Sequence, residues 1–188
     1  MKRIAIMASG NGSNAESLIT KAQELETKLN VVLVITDQPK AYVIERCKKH
    51  YIPCLIIEKK SDKSEHEKNI LSVLKDFKID WILLAGYMRI LSPTFLKQYP
   101  KRVINIHPSL LPAFPGKSGY EDAFAANVTK SGVTIHYVDE GIDTGEIIMQ
   151  ESFNRMKDDT FSDFKNRGMN LEYKLYQQTL EWIANGKI

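Results

Sequence analysis

An amide, an imidazole and a carboxylate are the groups in this sequence best placed to do chemistry. Asn105 and His107 stand two residues apart at the head of the stretch NIHPSLLPAFPG, residues 105–116. Alternate residues of an extended chain share a face, so the two side chains can converge on one atom. An asparagine amide and a protonated imidazole both donate to an oxygen that is becoming an anion. A neighbouring carboxylate raises the imidazole pKa and keeps it charged. Asp143, in the turn Asp139-Glu140-Gly141-Ile142-Asp143-Thr144-Gly145, is the candidate for that carboxylate. The set lacks a convincing nucleophile. Ser109 follows His107 too closely for an ordinary His-activated pair, and Cys47 and Cys54 are remote in sequence. This favours direct transfer of a group between two bound substrates over a covalent intermediate on the protein. The spacing of Asp139, Glu140 and Asp143 is not that of an EF-hand and no His flanks it usefully, so no metal is expected.

The elements that must position these groups read as an α/β pattern. Arg3–Ala8, Asn30–Thr36, Cys54–Ile57, Trp81–Ala85 and Arg102–Asn105 are predicted strands, and WILLA at 81–85 is apolar throughout. Continuous apolar strands are expected where helices cover both faces of a sheet. Between them, residues 13–25, 41–50, 64–77 and 93–98 carry helical patterns. Strand–helix alternation indicates a doubly wound, mostly parallel sheet. In such sheets ligands bind at the carboxyl edge, where NIHPSLLPAFPG lies. Pro108, Pro112 and Pro115 cannot continue a helix or an inner strand and make that segment a stiff loop. The pattern then changes to a helix at 121–126, a late antiparallel hairpin of 132–138 and 146–151, and a closing helix over 160–184. The acidic turn joins the hairpin strands and falls near the same edge. One domain spanning 1–188 is expected.

The first strand runs into Ser9-Gly10-Asn11-Gly12-Ser13-Asn14, with Ser13 or Asn14 a candidate N-cap. Strand, glycine-rich turn and helix is an anion cradle, because backbone N–H groups and the helix dipole face the ligand. The spacing fits neither a dinucleotide fingerprint nor a Walker loop, so a single phosphate monoester is the expected ligand.

At 188 residues, with 43% apolar and 26% charged residues, the composition is that of an ordinary globular chain. A net charge of +3, from scattered basic residues, gives no case for nucleic acid. No apolar run approaches a membrane span, and the N-terminal run is too short for a signal-peptide core. Two cysteines without CxxC spacing read as reduced thiols, and a cytoplasmic location is expected.

Four motifs in order, SGNGSN, AGYMRIL, NIHPSLLPAFPG and the H-x-V-x-x-x-x-D-x-G hairpin from His136 to Gly145, give the chain a wider resemblance. It resembles the glycinamide ribonucleotide formyltransferases of purine biosynthesis over nearly its whole length. The resemblance implies the formyltransferase fold and transfer of a formyl group from 10-formyltetrahydrofolate, as cosubstrate, to the amine of N1-(5-phospho-D-ribosyl)glycinamide. It implies direct attack and a tetrahedral intermediate supported by Asn105 and His107, with Asp143 keeping His107 protonated and relaying protons through water. Gly12, Ser13, Asn14 and Glu172 are implied on the ribonucleotide side. Lys63, Met88, Arg89, Ile90, Leu91, Asn105 and residues Asp139, Glu140, Gly141, Ile142 and Asp143 are implied around the folate. Small-molecule partners and a monomer or weak homodimer follow, with neither nucleic acid nor membrane as a partner.

Two positions depart from the resemblance. Where the family usually carries a His after the loop glycine, this chain has Lys117, Ser118, Gly119 and Tyr120. A phenol can hydrogen-bond but does not exchange a proton at neutral pH. Lys63 stands roughly where relatives carry an Arg, keeping charge but losing the planar fork. Methionyl-tRNA formyltransferase is the nearest rival and is expected to carry a further basic domain. Formyltetrahydrofolate hydrolase is expected to carry a regulatory domain before the first strand. A silent nucleotide- or folate-binding module is the rival from outside catalysis.

Overall fold

The computed structural model describes residues 1–188. Five strands run parallel: β1 (Lys2–Met7), β2 (Leu29–Thr36), β3 (Cys54–Ile56), β4 (Trp81–Leu84) and β5 (Val103–His107). β6 (Lys130–Tyr137) and β7 (Ile147–Asn154) complete the sheet, each antiparallel to the strand before it. The strand order is β3-β2-β1-β4-β5-β6-β7. The chain therefore builds outward from β1 to β3, then returns to lay β4 on the other side of β1. The carboxyl ends of β1 and β4 form the switch point at which open α/β sheets bind ligands. The doubly wound sheet with a late antiparallel hairpin is thus observed, and the antiparallel region also includes the β5–β6 pairing.

Strand alternation explains the two cores. Ile4, Ile6, Trp81, Leu83, Ile104 and Ile106 join a cluster with helices α1 (Ser13–Glu24), α2 (Val43–Lys49) and α6 (Phe161–Ala184). Ala5, Met7, Ile82, Leu84 and Val103 face the other way, against α3 (Lys63–Asp76) and α4 (Pro93–Leu96). Successive side chains point to opposite faces, so a strand with helices on both sides has to be apolar at every position. Asn105 and His107 continue the face of Val103, and Thr134 and His136 share that face on β6, opposite Val133 and Ile135. Polar side chains gather there because the second core ends before the carboxyl edge.

Side-chain caps set half of the helix starts. Asp62 caps α3 by accepting the Ser64 N–H at 2.8 Å. Thr160 and Asp163 form a reciprocal capping box at α6. α1 begins differently from the sequence expectation. Its N-cap is Gly12 at φ 75°, and neither Ser13 nor Asn14 caps it. Ser13 is already helical, because the preceding Gly12 takes the left-handed cap conformation without strain. β5 also runs two residues beyond its expected end at Asn105, so His107 is a strand residue rather than a loop residue. Their backbone is paired with β6, which fixes them more firmly than a proline-rich loop would.

Gly12 is also sterically confined, since a Cβ there would lie 2.4 Å from Val43 Cγ2 on α2. Gly12→Ala should therefore lower stability by about 2–4 kcal/mol, the sum of overpacking and a strained φ. A urea midpoint unchanged from the unsubstituted chain would contradict this packing.

Candidate active site

The antiparallel register places Asn105 opposite His136 and His107 opposite Thr134. His136 Nδ1 lies 2.8 Å from the Tyr137 carbonyl, which makes that nitrogen the donor and leaves Nε2 to accept. Asn105 Nδ2 donates to Nε2 at 3.2 Å. The Asn105 amide is thereby oriented, with its second N–H held only loosely, 3.5 Å from Asp143 Oδ1. His136 is a site residue that sequence reading did not assign. It belongs to the hairpin motif, but its pairing with Asn105 depends on a register that only the folded sheet specifies.

Asp143 adopts φ 55°, a left-handed conformation that Asp tolerates better than most residues. From there its carboxylate accepts the Gly116 N–H at 2.7 Å, lies 3.3 Å from His107 Nδ1, and approaches His136 Nε2 at 3.6 Å. Burial opposes the charged form, but the hydrogen-bonding surroundings of the carboxylate, the Gly116 N–H among them, outweigh it and hold the carboxyl below its ordinary pKa. Asp143 is therefore an anion at neutral pH. The acidic turn comes to the β5 edge as its position in the hairpin implied.

His107 behaves differently from the sequence expectation. It is 3% exposed, and burial presses its pKa below the ordinary value. The Phe114 carbonyl, which accepts from Nε2 at 2.8 Å, and the Asp143 carboxylate both pull it upward without reversing that direction. Asp143 pulls the imidazole upward, as expected of it, but burial is the larger effect and the balance in the free site lies below the ordinary pKa. Both ring nitrogens nonetheless face acceptors, an arrangement that a second proton would satisfy fully.

The segment after β5 is tied down by side chains. Thr134 Oγ1 donates to the Ser109 carbonyl at 2.7 Å and accepts the Leu111 N–H at 3.1 Å. Gln150 donates to both Thr134 Oγ1 and the Leu111 carbonyl. Ser109 is fully buried and donates to the Ala113 carbonyl, which leaves it no nucleophilic role.

These groups open on a cleft of about 500 Å³. Of the residues expected around it, Asn14, Met88, Arg89, Ile90, Leu91, Asn105, His107, Asp139, Gly141, Ile142, Asp143 and Glu172 line it. Met88, Ile90 and Ile142 are all more than half exposed, an apolar wall suited to a flat ring. Glu140 does not line the cleft and is exposed to solvent. Lys63 is placed outside as well, since as the first residue of α3 it lines an adjoining recess of about 380 Å³ that shares Tyr87–Leu91. Arg89 stands between the two spaces, its Nε donating to buried Asp37 at 2.6 Å. Burial alone would lift the Asp37 carboxyl, but hydrogen bonds from Ser9 and Arg89 hold it below its ordinary pKa. Ser9 Oγ in turn accepts the Met88 N–H at 3.0 Å, joining the glycine loop to the apolar wall.

Gly12 and Ser13 lie just beyond the cleft at the start of α1, where no side chain caps the helix and its first N–H groups remain available. A carboxylate in that first turn would repel an anion, but Glu16 is drawn aside by Arg46, Lys49 and His50, which hold its pKa at about 2. Arg46 also braces the loop through the Asn11 backbone and side-chain oxygens at 2.8 and 2.7 Å. Asn14 and Glu172 meet at the end of the cleft beside this loop, Asn14 Nδ2 donating to Glu172 Oε2.

Comparison with known proteins establishes the family. Residues 2–180 match the family model described as formyl transferase. The chain belongs to the formyl transferase family. Within this family of group-transferring enzymes it is 43% identical to the phosphoribosylglycinamide formyltransferase of Bacillus subtilis, over 97% of this chain and 95% of that protein. The crystal structure of phosphoribosylglycinamide formyltransferase from Bacillus halodurans superposes with a TM-score of 0.90 at 47% identity, covering 95% of this chain and 93% of that one. Glycinamide ribonucleotide transformylase 1 from Symbiobacterium toebii gives a TM-score of 0.94 at 32% identity, covering 99% and 89%. No helix of this formyl transferase is long and apolar enough to cross a membrane.

The balance at His107 is measurable. Its imidazole should titrate below ~6.5, the ordinary His value, and Asp143→Asn should move the midpoint lower still by removing a charge that favours the imidazolium. A midpoint at or above ~6.5 in the free protein, followed by nitrogen-15 NMR, would contradict the dominance of burial.

Proposed function

We propose that the chain transfers a formyl group from 10-formyltetrahydrofolate to the amine of N1-(5-phospho-D-ribosyl)glycinamide, a step of purine biosynthesis. The observation that carries this reading is the convergence of Asn105, His107 and Asp143 in a cleft with two distinct ends. One end is the glycine loop and uncapped helix at Gly12, Ser13 and Asn14, suited to a phosphate monoester. The other is the apolar wall of Met88, Ile90 and Ile142 with Arg89 behind it, suited to a flat heterocycle and an anionic tail. Two substrates entering from the two ends meet at Asn105 and His107.

The residues act in sequence on the reacting atoms. Asn105 Nδ2, oriented by His136, donates to the formyl oxygen. That oxygen competes with the Phe114 carbonyl for the N–H of His107 Nε2. As the amine adds to the formyl carbon, charge grows on the oxygen in a site shielded from water, where such donors act most strongly. The new negative charge joins Asp143 in favouring a positive imidazole, so His107 gains its second proton at this stage. The proton released by the amine passes to the His107–Asp143 pair and goes on to the folate nitrogen as its bond to carbon breaks. The folate supplies the activated formyl group, and no nucleophile of the chain is needed. Lys63 at the edge of the adjoining recess and the Asp139–Ile142 turn complete the folate side, and Glu172 the ribonucleotide side. Both substrates are small molecules, and a cytoplasmic enzyme fits this role.

Formyl transfer assayed with and without the ribonucleotide separates the alternatives. Turnover should require the ribonucleotide. Asp143→Asn, which tolerates the same left-handed backbone, should lower kcat on the order of 10²–10³-fold while ribonucleotide affinity persists. Deformylation of the folate without the acceptor would instead mark a hydrolase, and no turnover in either case a binding module.

A further inference from the structure

Glu172 lies on a face of α6 whose neighbours one turn away on either side are Gly168 and Tyr176. Tyr176 is fully buried and its hydroxyl donates to the carbonyls of Leu84 at 2.9 Å and Ile104 at 3.2 Å, which fixes this row against β4 and β5. The carboxylate of Glu172 receives two donors. Asn14 Nδ2 reaches Oε2, and the hydroxyl of Tyr120, from α5 (Gly119–Ala125), reaches Oε1. Tyr120 is 4% exposed, packs edge-on against Phe164 at 6.3 Å, and does not itself line the cleft.

Gly168 shows what the Tyr120 position requires. Glycine is a poor residue for the interior of a helix. A Cβ at 168 would fall 2.4 Å from Tyr120 Cε1 and 2.5 Å from its hydroxyl oxygen, so the glycine makes room for the ring. Asn14 Oδ1 is buried beside Glu172 without a hydrogen-bond partner. The end of the cleft therefore offers an acceptor, the Glu172 carboxylate, to a ligand that brings N–H or O–H donors.

We propose that Tyr120 is a positioning residue for the ribonucleotide, holding the Glu172 carboxylate toward the cleft through a pocket that Gly168 keeps open. This rests on the functional reading above, in which Glu172 serves the ribonucleotide. Burial and the Glu172 charge push the Tyr120 phenol well above its ordinary pKa, so it remains a donor at any working pH. A histidine at this place would share its proton according to pH, whereas the tyrosine gives Glu172 a constant partner. The hydroxyl also keeps Oε1 from turning toward the protein interior and leaves the outer lone pairs of the carboxylate for the ligand.

The test is calorimetric binding of glycinamide ribonucleotide alone, with steady-state KM for both substrates, in Tyr120→Phe, Gly168→Ala and Glu172→Gln. Tyr120→Phe keeps the ring and removes only the donor. Gly168→Ala strengthens helix propensity while displacing the ring. Both should weaken ribonucleotide binding about 5–10-fold, with the folate KM unchanged and kcat at saturation within about twofold. Tyr120→Phe should add nothing further when made in Glu172→Gln. Loss of thermal stability with unchanged ribonucleotide affinity, or an undiminished effect in the Glu172→Gln background, overturns the positioning role alone. Failure of the unsubstituted chain to bind the ribonucleotide overturns the functional reading and this role with it.

Discussion

One carboxylate organises the cleft at the carboxyl end of β5. Asp143 is the only anion in contact with His107, and the same two oxygens hold the Gly116 N–H and approach Asn105 and His136. Its left-handed backbone lets the hairpin turn point a side chain back at β5. A buried carboxylate with so many partners stays charged, and a buried imidazole with one carboxylate beside it does not. On the proposed mechanism, a second negative charge is what tips the imidazole toward its charged form.

The remainder of the fold supplies distance and direction. Period-two alternation sends the apolar residues of β1, β4 and β5 into two cores and leaves Asn105 and His107 on a face that the second core does not reach. The return of the chain to β4 beside β1 brings the glycine loop within a hydrogen bond of Met88 through Ser9. That contact joins the glycine loop to the apolar wall. α6 closes the opposite side, with Tyr176 anchored to two strand carbonyls and Glu172 one turn earlier at the cleft.

Much of this was legible in the chain. Apolar strands such as WILLA, the glycine turn and the proline-rich segment each carry a local signal, and local signals survive into the fold. Helix starts at Asp62 and Thr160 follow ordinary capping chemistry. What could not be read depended on contacts between distant segments. His136 gained its place from antiparallel register. The downward balance at His107 came from burial, which outweighed the pull of Asp143. Gly12, rather than Ser13 or Asn14, became the N-cap of α1 because that position takes a left-handed conformation. Lys63 faces the neighbouring recess because α3 starts there, a placement that sequence alignment alone does not give. Tyr120, a phenol where the resemblance implies an imidazole, takes its place from Gly168 and Glu172, which lie far from it in sequence.

The central claim is that Asp143 and an oxygen anion of the substrate together charge an otherwise neutral His107. It is tested most directly by the nitrogen-15 spectrum of His107 at pH 7 in a ternary complex. The complex would hold the ribonucleotide and a folate analogue bearing a tetrahedral, anionic oxygen at the formyl position. The account predicts an imidazolium there and a neutral ring in the free protein. A ring that stays neutral in the complex would contradict it.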